Sequence, residues 1–477
     1  MKARLSLVLL MAAAGPSLAQ PKPAPAAPKT TPKTTQVVED SNAFEKDLDA
    51  LFVATGLTAD QASSRAAAVS PTVQRKFAEV EAQIAAAEAT ELQQVPQVGG
   101  KLQYTRNSVV PAFSIPFGGM TISIPSSLPN NYVAEANINI NLSDYIWRYP
   151  KLVKAAKLGL EVAKTSKASA MVDAGQEARL AYYEWMRARL NVLVAQRTLV
   201  QIQGTAGQIQ SQFDVQRVSK ADLLRIQSQE AEAEQTLDQL KNLSALREEQ
   251  LRLLIGAGGS EELTVGEDVR KDMTAPQIAG LDDGVKKATA QRLDVRLLAQ
   301  GIAAKERQAE AEKSSYLPRL SAFGVADYAR PNQRIFPVTD EFKGTWSVGA
   351  TLSWTLNDAL VANTTQHRLE AETNELRADK ENLLRGTRIE ILSSQQAVQL
   401  ALHALQTSAK GLAAAEEGYR VRKELLNAER ATAVELVDAQ TDLTRARITA
   451  LNARVDLRVA VAQLQHALGD DAAAQKK

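Results

Sequence analysis

The sequence predicts a mainly helical chain that is internally duplicated and carries a smaller β portion. Two observations lead to this fold class. Proline is absent from residues 151–275 and again after Pro337, although proline breaks helices when it occurs inside them. Of the 22 aromatic residues, 14 lie in two short windows, Tyr104 to Tyr149 and Tyr316 to Trp354. We therefore expect two long helical regions, each preceded by a short aromatic-rich segment of strands.

The composition narrows the classes of function. The chain has 477 residues, a formal net charge of +1, no Cys and three His. A near-neutral charge argues against a general nucleic-acid binder, which is usually basic. The absence of Cys excludes disulfides, thiolate catalysis and zinc sites built from cysteine. It also excludes an acylated N-terminal Cys, so a lipoprotein anchor is not expected.

The N-terminus has the pattern of a secretory signal peptide, assigned to residues 1–19. Lys2 and Arg4 are followed by the apolar run Leu5–Ala14 and the small-residue cleavage site Ser17-Leu18-Ala19. Residues 20–40 are rich in Pro, Ala, Lys and Thr, which predicts a flexible leader. No later run approaches the ~18 apolar residues of a transmembrane helix. The mature protein is thus expected outside the cytoplasm.

Similar short motifs recur in the same order at nearly constant spacing. Val95-Pro96-Gln97-Val98 resembles Leu317-Pro318-Arg319-Leu320, and Ala221-Asp222-Leu223-Leu224 resembles Val434-Glu435-Leu436-Val437. Such self-similarity indicates a duplicated unit. The first copy carries an insertion near residue 120. We predict a first repeat at 41–256, a linker at 257–280, a second repeat at 281–469 and a tail at 470–477.

Alternating apolar and polar residues predict strands, each with one apolar face. The strands are placed near 98–107, 133–143, 319–328 and 345–355. Trp346 and Trp354 lie on one face, ~27 Å apart along the strand, which suits the apolar band of a tilted membrane strand. A half-buried soluble sheet would show the same alternation, but the signal peptide and the long helices favour the membrane. An open sheet leaves edges that lipid cannot solvate, so several copies would have to share one barrel.

Four helices are expected to form two very long hairpins. Their predicted bounds are 148–216, 221–255, 363–427 and 433–468. The first would extend ~100 Å, so it needs partners along its whole length. The apolar residues of the last helix follow the spacing of a coiled-coil seam. They are Ile448, Leu451, Val455, Val459 and Ala462.

From Leu57 to Gly469 the sequence resembles the TolC-like outer-membrane efflux protein (OEP) family. The resemblance rests on five short sequence segments and on their order in the chain. These are Leu57-Thr58-Ala59-Asp60-Gln61-Ala62, the Val95-Pro96 and Leu317-Pro318 junctions, Ala415-Glu416-Glu417-Gly418-Tyr419-Arg420, and Val434-Glu435-Leu436-Val437-Asp438-Ala439-Gln440. The resemblance implies a homotrimer whose long helical hairpins form an α-barrel in the periplasm. Four strands from each protomer would complete a twelve-stranded barrel in outer-membrane lipid. Other segments would form a belt around the helical tunnel.

The turns within the two helical pairs would be the periplasmic tips. The predicted tip residues are Arg217, Val218, Ser219, Arg430, Ala431 and Thr432. Ser219 and Thr432 stand three residues before Asp222 and Glu435, a pattern typical of helix N-caps. The resemblance implies, in addition, that these tips dock onto a periplasmic adaptor (membrane fusion) protein. The family usually has Gly where this chain has Gln216 and Glu429.

Three carboxylates are candidate pore-entrance residues. Glu435 and Asp438 share one helix face, and the resemblance implies that they line the closed entrance, with Asp222 as their first-half counterpart. A threefold axis would gather six of them into a ring that attracts cations. Solvated carboxylates near a helix start are the alternative. Asp222 is also expected to pair with Arg430 across the tips.

No enzyme chemistry is expected. The residues show no nucleophile–base set, no metal-ligand cluster and no cofactor motif. The predicted function is a passive exit duct of the outer membrane, serving a tripartite efflux pump or type I secretion system with an inner-membrane transporter. A periplasmic coiled-coil adaptor or scaffold without a membrane barrel is the main alternative. A secreted hydrolase is the other alternative, and it would need a catalytic set.

Overall fold

The computed structural model describes residues 35–124, 126–271, 273, 280–428 and 430–471. The predicted signal peptide and most of the leader and tail lie outside the described residues. The chain divides into two units, Met1–Lys46 and Asp47–Lys477. In the first unit, residues 35–46 are described and belong to a helix.

Long helices dominate the chain. The helices are α1 (Thr35–Leu51), α2 (Ala59–Val69), α3 (Pro71–Leu92), α4 (Leu142–Trp147), α5 (Tyr149–Asp214), α6 (Lys220–Ile255), α7 (Leu281–Gln291), α8 (Leu293–Glu312), α9 (Leu356–Asn427) and α10 (Ala433–Leu468). The strands are β1 (Phe52–Leu57), β2 (Gln97–Arg106), β3 (Phe113–Phe117), β4 (Met120–Ile124), β5 (Asn130–Asn141), β6 (Arg319–Arg330) and β7 (Lys343–Ser353). The predicted fold class, mainly α with a β portion and an internal duplication, is confirmed.

The four long helices form two antiparallel pairs. Helix α5 packs along α6, α9 packs along α10, and α5 also contacts α10. Pro150 stands in the first turn of α5, where proline is tolerated, and no proline follows inside these helices. Gly256 and Gly469 end α6 and α10 in the left-handed conformation that glycine adopts without strain. Helix α9 starts at Leu356, earlier than the predicted residue 363.

The sheet is antiparallel, with strand order β2-β5-β6-β7. Tyr132 on β5 pairs with Arg330 on β6, and Ala326 on β6 pairs with Trp346 on β7. Each strand starts and ends within a few residues of its predicted place. Since β2 and β7 form the edges, this four-stranded sheet is open within one chain.

One face of the sheet exposes its apolar side chains. Trp346 is 75% exposed and Val348 73%, while their neighbours Ser347 and Gly349 on the opposite face are only partly exposed. On the other edge strand, Leu102 is 87% exposed. Soluble proteins rarely expose a continuous apolar patch, so such a face marks a surface that contacts lipid or another protein.

The predicted insertion near residue 120 is a separate hairpin. Strands β3 and β4 pair with each other, Phe113 opposite Ile124 and Ile115 opposite Ile122. Gly118 and Gly119 both have positive φ, as the tightest hairpin turns require. In the part of the chain that the structure describes, this hairpin has no counterpart between β6 and β7.

Several large side chains in the middle of α5 are fully buried. Tyr182, Trp185 and Met186 are fully buried, and the Tyr182 and Trp185 ring centroids are 5.9 Å apart. The Tyr183 hydroxyl lies 3.4 Å from a carboxylate oxygen of Glu267. These contacts tie the segment between the two repeats to the long helix of the first. Within the described residues, none of the helices has the length and hydropathy needed to span a bilayer.

Two glycines let the chain segments around β1 and residue 265 approach each other closely. The Leu57 amide donates to the Thr264 carbonyl at 2.8 Å, and the Gly266 amide donates to the Leu57 carbonyl at 2.8 Å. A Cβ atom on Gly266 would lie 2.2 Å from the carbonyl oxygen of Gly56. Backbone atoms cannot yield as a flexible side chain does, so only glycine fits here.

We expect Gly266→Ala to lower the thermal unfolding midpoint, because overpacking of this kind costs about 1–3 kcal/mol. Circular dichroism of the purified protein in detergent measures it. The matched control is Gly258→Ala, since a Cβ there meets no atom within 4 Å. Equal midpoints for the two variants would contradict the close backbone approach.

Candidate functional site

The turn between α5 and α6 forms the first helical tip. Gln216 adopts a left-handed backbone with φ of 59°, the conformation that glycine favours. A side chain in that region costs about 1 kcal/mol. The Gln216 amide donates to the Phe213 carbonyl at 2.8 Å, and the Arg217 amide to the Gln212 carbonyl at 2.9 Å. These bonds hold the turn that places Arg217, Val218 and Ser219 at the tip.

Both predicted N-caps are present. The Ser219 hydroxyl accepts from the Asp222 amide at 3.2 Å, and the Thr432 hydroxyl accepts from the Glu435 amide at 3.3 Å. At the second tip, the Arg430 amide donates to the Leu425 carbonyl at 2.8 Å. Glu429 lies outside the described residues. The caps start α6 and α10 at equivalent points, so the two tips match in local structure.

Asp222 serves the cap of its own helix. Its carboxylate accepts from the Ser219 hydroxyl at 2.7 Å and from the Ser219 amide at 3.3 Å. Among the described residues, no ion pair joins Asp222 to Arg430, so the predicted contact across the tips is not formed. The Asp222 carboxylate is instead engaged within the first turn of its own helix.

Glu435 and Asp438 each pair with an arginine that the sequence reasoning missed. Arg422 on α9 forms an ion pair with Glu435. Arg225 on α6 lies 3.4 Å from Asp438 on α10, which links the two helical hairpins. Both pairs are substantially exposed to solvent, where an ion pair contributes about 1 kcal/mol or less. Such links are easily exchanged for water.

The repeat spacing contains the signal that would have found the second pair. Arg225 and Asp438 are 213 residues apart, the same offset that relates Asp222 to Glu435. Arg225 is therefore the first-repeat equivalent of Asp438. Equivalent positions of a duplicated unit come close together where the two hairpins meet. Opposite charges at such positions thus form an ion pair between the repeats.

An acidic cleft lies between α9 and α10 near the tips. Its volume is about 350 Å³, and Glu435, Asp438 and Asp442 line it together with Tyr419 and Arg422. Asp442 follows Asp438 by one helical turn, so the three carboxylates share one face of α10. Sequence reasoning stopped at Asp438, although the same spacing extends to Asp442. The cleft can attract cations.

The two predicted interface aromatics lie on the exposed face or at its end. Trp346 stands within β7, while Trp354 directly follows the strand and is 60% exposed. The Trp354 indole donates to the Tyr316 carbonyl at 3.3 Å. An indole with an exposed ring and a bonded N–H suits the boundary between an apolar and an aqueous phase.

A second polar cluster lies at the opposite end of α10. The His466 Nδ1 lies 2.6 Å from a carboxylate oxygen of Asp471. Nearby, Arg292 pairs with Asp294 at 2.7 Å and with Glu390 at 2.7 Å. The hydrogen bond that the His466 ring donates to the Asp471 carboxylate raises the pKa of His466, and burial raises the pKa of Asp173 on α5. The cluster joins α5, α9 and α10 to the junction of α7 and α8.

No group of three or more His, Asp or Glu side chains in the described part of the chain is placed to hold a metal ion. The clefts beside α10 are lined by charged and apolar faces of the helices.

Comparisons with known proteins agree with this architecture. The family model described as "Outer membrane efflux protein" matches residues 284–470. Three solved structures share the fold. The CusC structure, described in terms of transmembrane channel formation, aligns with a TM-score of 0.73 at 15% identity, covering 88% of this chain and 93% of that one. The Campylobacter jejuni CmeC outer membrane channel gives 0.71 at 13% identity, covering 95% and 94%. The Vibrio cholerae outer membrane protein VceC gives 0.70 at 15% identity, covering 86% and 96%.

The fold is thus that of outer-membrane channel proteins. The family match, together with that fold, confirms the resemblance to the TolC-like outer-membrane efflux proteins. No match was found among proteins with curated functions.

The His466–Asp471 contact predicts a pH dependence of stability. A histidine whose pKa is raised by folding stabilises the folded state fully below its ordinary pKa of about 6.5. That stabilisation is lost as the pH rises through the folded-state pKa. We therefore expect His466→Gln to lower the unfolding midpoint more at about pH 6 than at about pH 9. His403→Gln, at an exposed position on α9, is the control. A His466→Gln effect that is the same at both pH values would contradict the ion pair.

Proposed function

We propose that this protein is a passive, trimeric exit duct in the outer membrane of a Gram-negative cell. It would serve a tripartite efflux pump or a type I secretion system. One observation carries the proposal: two very long helical pairs are joined to a four-stranded sheet whose apolar face is exposed and whose edges are open. The matching family model and the channels that share this fold support it.

The open edges of the sheet are the argument for a trimer. In lipid, unpaired backbone N–H and C=O groups of β2 and β7 would each cost several kcal/mol, because no water can bond them. Pairing β7 of one protomer with β2 of the next satisfies both edges. Three protomers then close one barrel of twelve strands. In that arrangement the exposed face faces lipid, with Trp346 and Trp354 at its interfaces.

The helical tips are proposed to dock onto a periplasmic adaptor (membrane fusion) protein, and through it onto an inner-membrane transporter. Both tips end in tight, capped turns with an arginine at the surface, Arg217 and Arg430. Rigid turns of this kind offer a preformed docking surface. The transporter would supply the energy, so the duct itself needs no catalytic residue or cofactor.

The proposed bounds of the two repeats remain residues 41–256 and 281–469.

The acidic cleft is proposed to form the gate at the pore entrance. Around a threefold axis, Glu435 and Asp438 would gather as six carboxylates, whose mutual repulsion depends on salt and pH. The pairs with Arg422 and Arg225 would hold the closed state. Because both pairs are exposed, a modest force from a docked partner can break them. Asp222, at the equivalent position of the first repeat, would stabilise the first turn of α6.

A periplasmic coiled-coil adaptor or scaffold remains the second candidate, on the strength of the paired helices alone. Such a protein has no need for a sheet with a fully exposed apolar face, and the exposure of Trp346, Val348 and Leu102 therefore favours the duct.

Fractionation tests the location and the assembly. We expect the full-length chain, expressed in a Gram-negative host, to be recovered with the outer membrane and to cross-link as a trimer. The physical reason is that the apolar face and the strand edges need lipid and neighbouring protomers. Recovery as a monomer in the soluble periplasm would refute the duct and favour the adaptor reading.

Planar-bilayer recording tests the gate. We expect Glu435→Gln combined with Asp438→Asn to raise single-channel conductance and to reduce block by multivalent cations, because the ring charge and both arginine pairs are removed. Arg225→Gln alone should raise the conductance without removing the cation block. The control is Asp238→Asn, whose carboxylate pairs with Lys241 outside the cleft. Traces of the double variant that match the wild type would refute the ring.

A further inference from the structure

A groove bounded by α5, α6 and α10 lies beside the proposed gate, on the far side of α10 from the acidic cleft. Its volume is about 390 Å³, within the range of small-molecule sites. The function proposed above does not use it. Much of its wall is apolar. The apolar lining comprises Ala195, Ile202, Ala233, Leu240, Val437 and Ile448.

The polar lining of this groove consists largely of threonine hydroxyls that accept hydrogen bonds. Thr236, Thr441 and Thr449 each donate to the carbonyl of the residue four positions earlier on their own helix, at 2.8 to 3.0 Å. Thr198 and Thr444 lie 2.9 Å from the corresponding carbonyls and 3.0 Å from each other, so their two protons are shared among these three contacts. A hydroxyl has one proton and two lone pairs, so its remaining capacity is that of an acceptor. The threonines are Thr198, Thr236, Thr441, Thr444 and Thr449. The groove therefore favours a ligand that donates hydrogen bonds.

A buried amide lines the same groove without a partner. Gln440 is 2% exposed, and neither its Nε2 nor its Oε1 is hydrogen-bonded within the described residues. A buried polar group without a partner costs about 1–3 kcal/mol. A ligand with a polar head can offset that cost by bonding the amide. This observation is independent of the threonines and points to the same groove.

The groove is lined by one residue of each charge, Arg445 and Glu232. Arg445 lies 3.6 Å from Asp442 on its own helix, in a pair that is largely exposed to solvent. Glu232, which is exposed on α6, has no cationic partner among the residues that the structure describes. A bound cation is the complement of this carboxylate.

We propose that the groove binds an amphipathic organic cation, an apolar body that carries a primary or secondary ammonium. The apolar wall would cover the body. The ammonium would donate to threonine oxygens and to Gln440 Oε1, with Glu232 balancing its charge. The three features (apolar wall, acceptor-only hydroxyls and an uncompensated carboxylate) select this class over neutral or anionic molecules.

Three ligands of one shape test the proposal on the full-length protein in detergent. They are naphthylmethylamine, naphthylmethanol and naphthaleneacetate, which are a cation, a neutral alcohol and an anion at neutral pH. Isothermal titration measures each affinity. We expect the ammonium to bind about tenfold more tightly than the alcohol, as one charge-assisted hydrogen bond allows, and the carboxylate to bind most weakly. Equal affinities for the three, or binding by none of them, would overturn the proposal.

Variants locate the site. Glu232→Gln should weaken binding of the ammonium about fivefold and leave the alcohol unchanged, since only the charge is removed. Thr236→Val should weaken both about twofold to threefold by removing an acceptor. The matched control is Glu234→Gln, two residues away on the exposed part of α6 and outside the groove. A similar loss of affinity in Glu232→Gln and Glu234→Gln would overturn the assignment.

A protein helix is the competing occupant of such a groove. If naphthylmethylamine fails to bind and Glu232→Gln instead reduces co-purification of an adaptor protein, the groove is a protein interface and the proposal is refuted. The site is argued from one chain, so its failure leaves the exit duct standing. Conversely, a chain that fails to reach the outer membrane can still be titrated with the three ligands.

Discussion

Packing along helix α5 is the constraint on which the rest of the structure depends. This helix has 66 residues and extends ~100 Å, and most of the stability of any helix in a protein comes from tertiary packing. Neighbours cover it in succession: α3 and α8, then α2, then α6 and α10. Tyr182 and Trp185 near its middle are fully buried, and so is Ile209 near its end at the first tip.

Duplication explains why equivalent residues of the two repeats lie side by side where the helical pairs meet. The capped turns at Ser219 and Thr432 start α6 and α10 in the same way, so equivalent residues end up at the same height. At one pair of equivalent positions the two repeats carry opposite charges, and Arg225 lies beside Asp438. A duplicated unit thus acquires a link between its halves by one change of charge. Because the link is exposed, it contributes about 1 kcal/mol or less.

Two features of the chain are incomplete without a second molecule. The sheet ends in strands β2 and β7 with open edges, and its apolar face is exposed. The groove over α5 leaves the amide of Gln440 unbonded and the carboxylate of Glu232 uncompensated. Neighbouring protomers and lipid would complete the first, while a small cation would complete the second. Both are consequences of a chain built as a wall instead of a compact core.

The sequence by itself determined the four long helices, the four strands of the sheet and the caps, because these depend on neighbours in the chain: proline absence, alternation and the Ser219 and Thr432 turns. It also placed Glu435 and Asp438 on one helix face. The repeat offset of 213 already relates Arg225 to Asp438. Only the tertiary structure decided the pairing of Glu435 with Arg422, the contact of His466 with Asp471, and the groove around Gln440. These features join side chains that lie on separate helices or across a turn. The relative positions of those side chains follow from packing. The expected pair of Asp222 with Arg430 is not formed among the described residues of one chain, where the cap at Ser219 engages the Asp222 carboxylate.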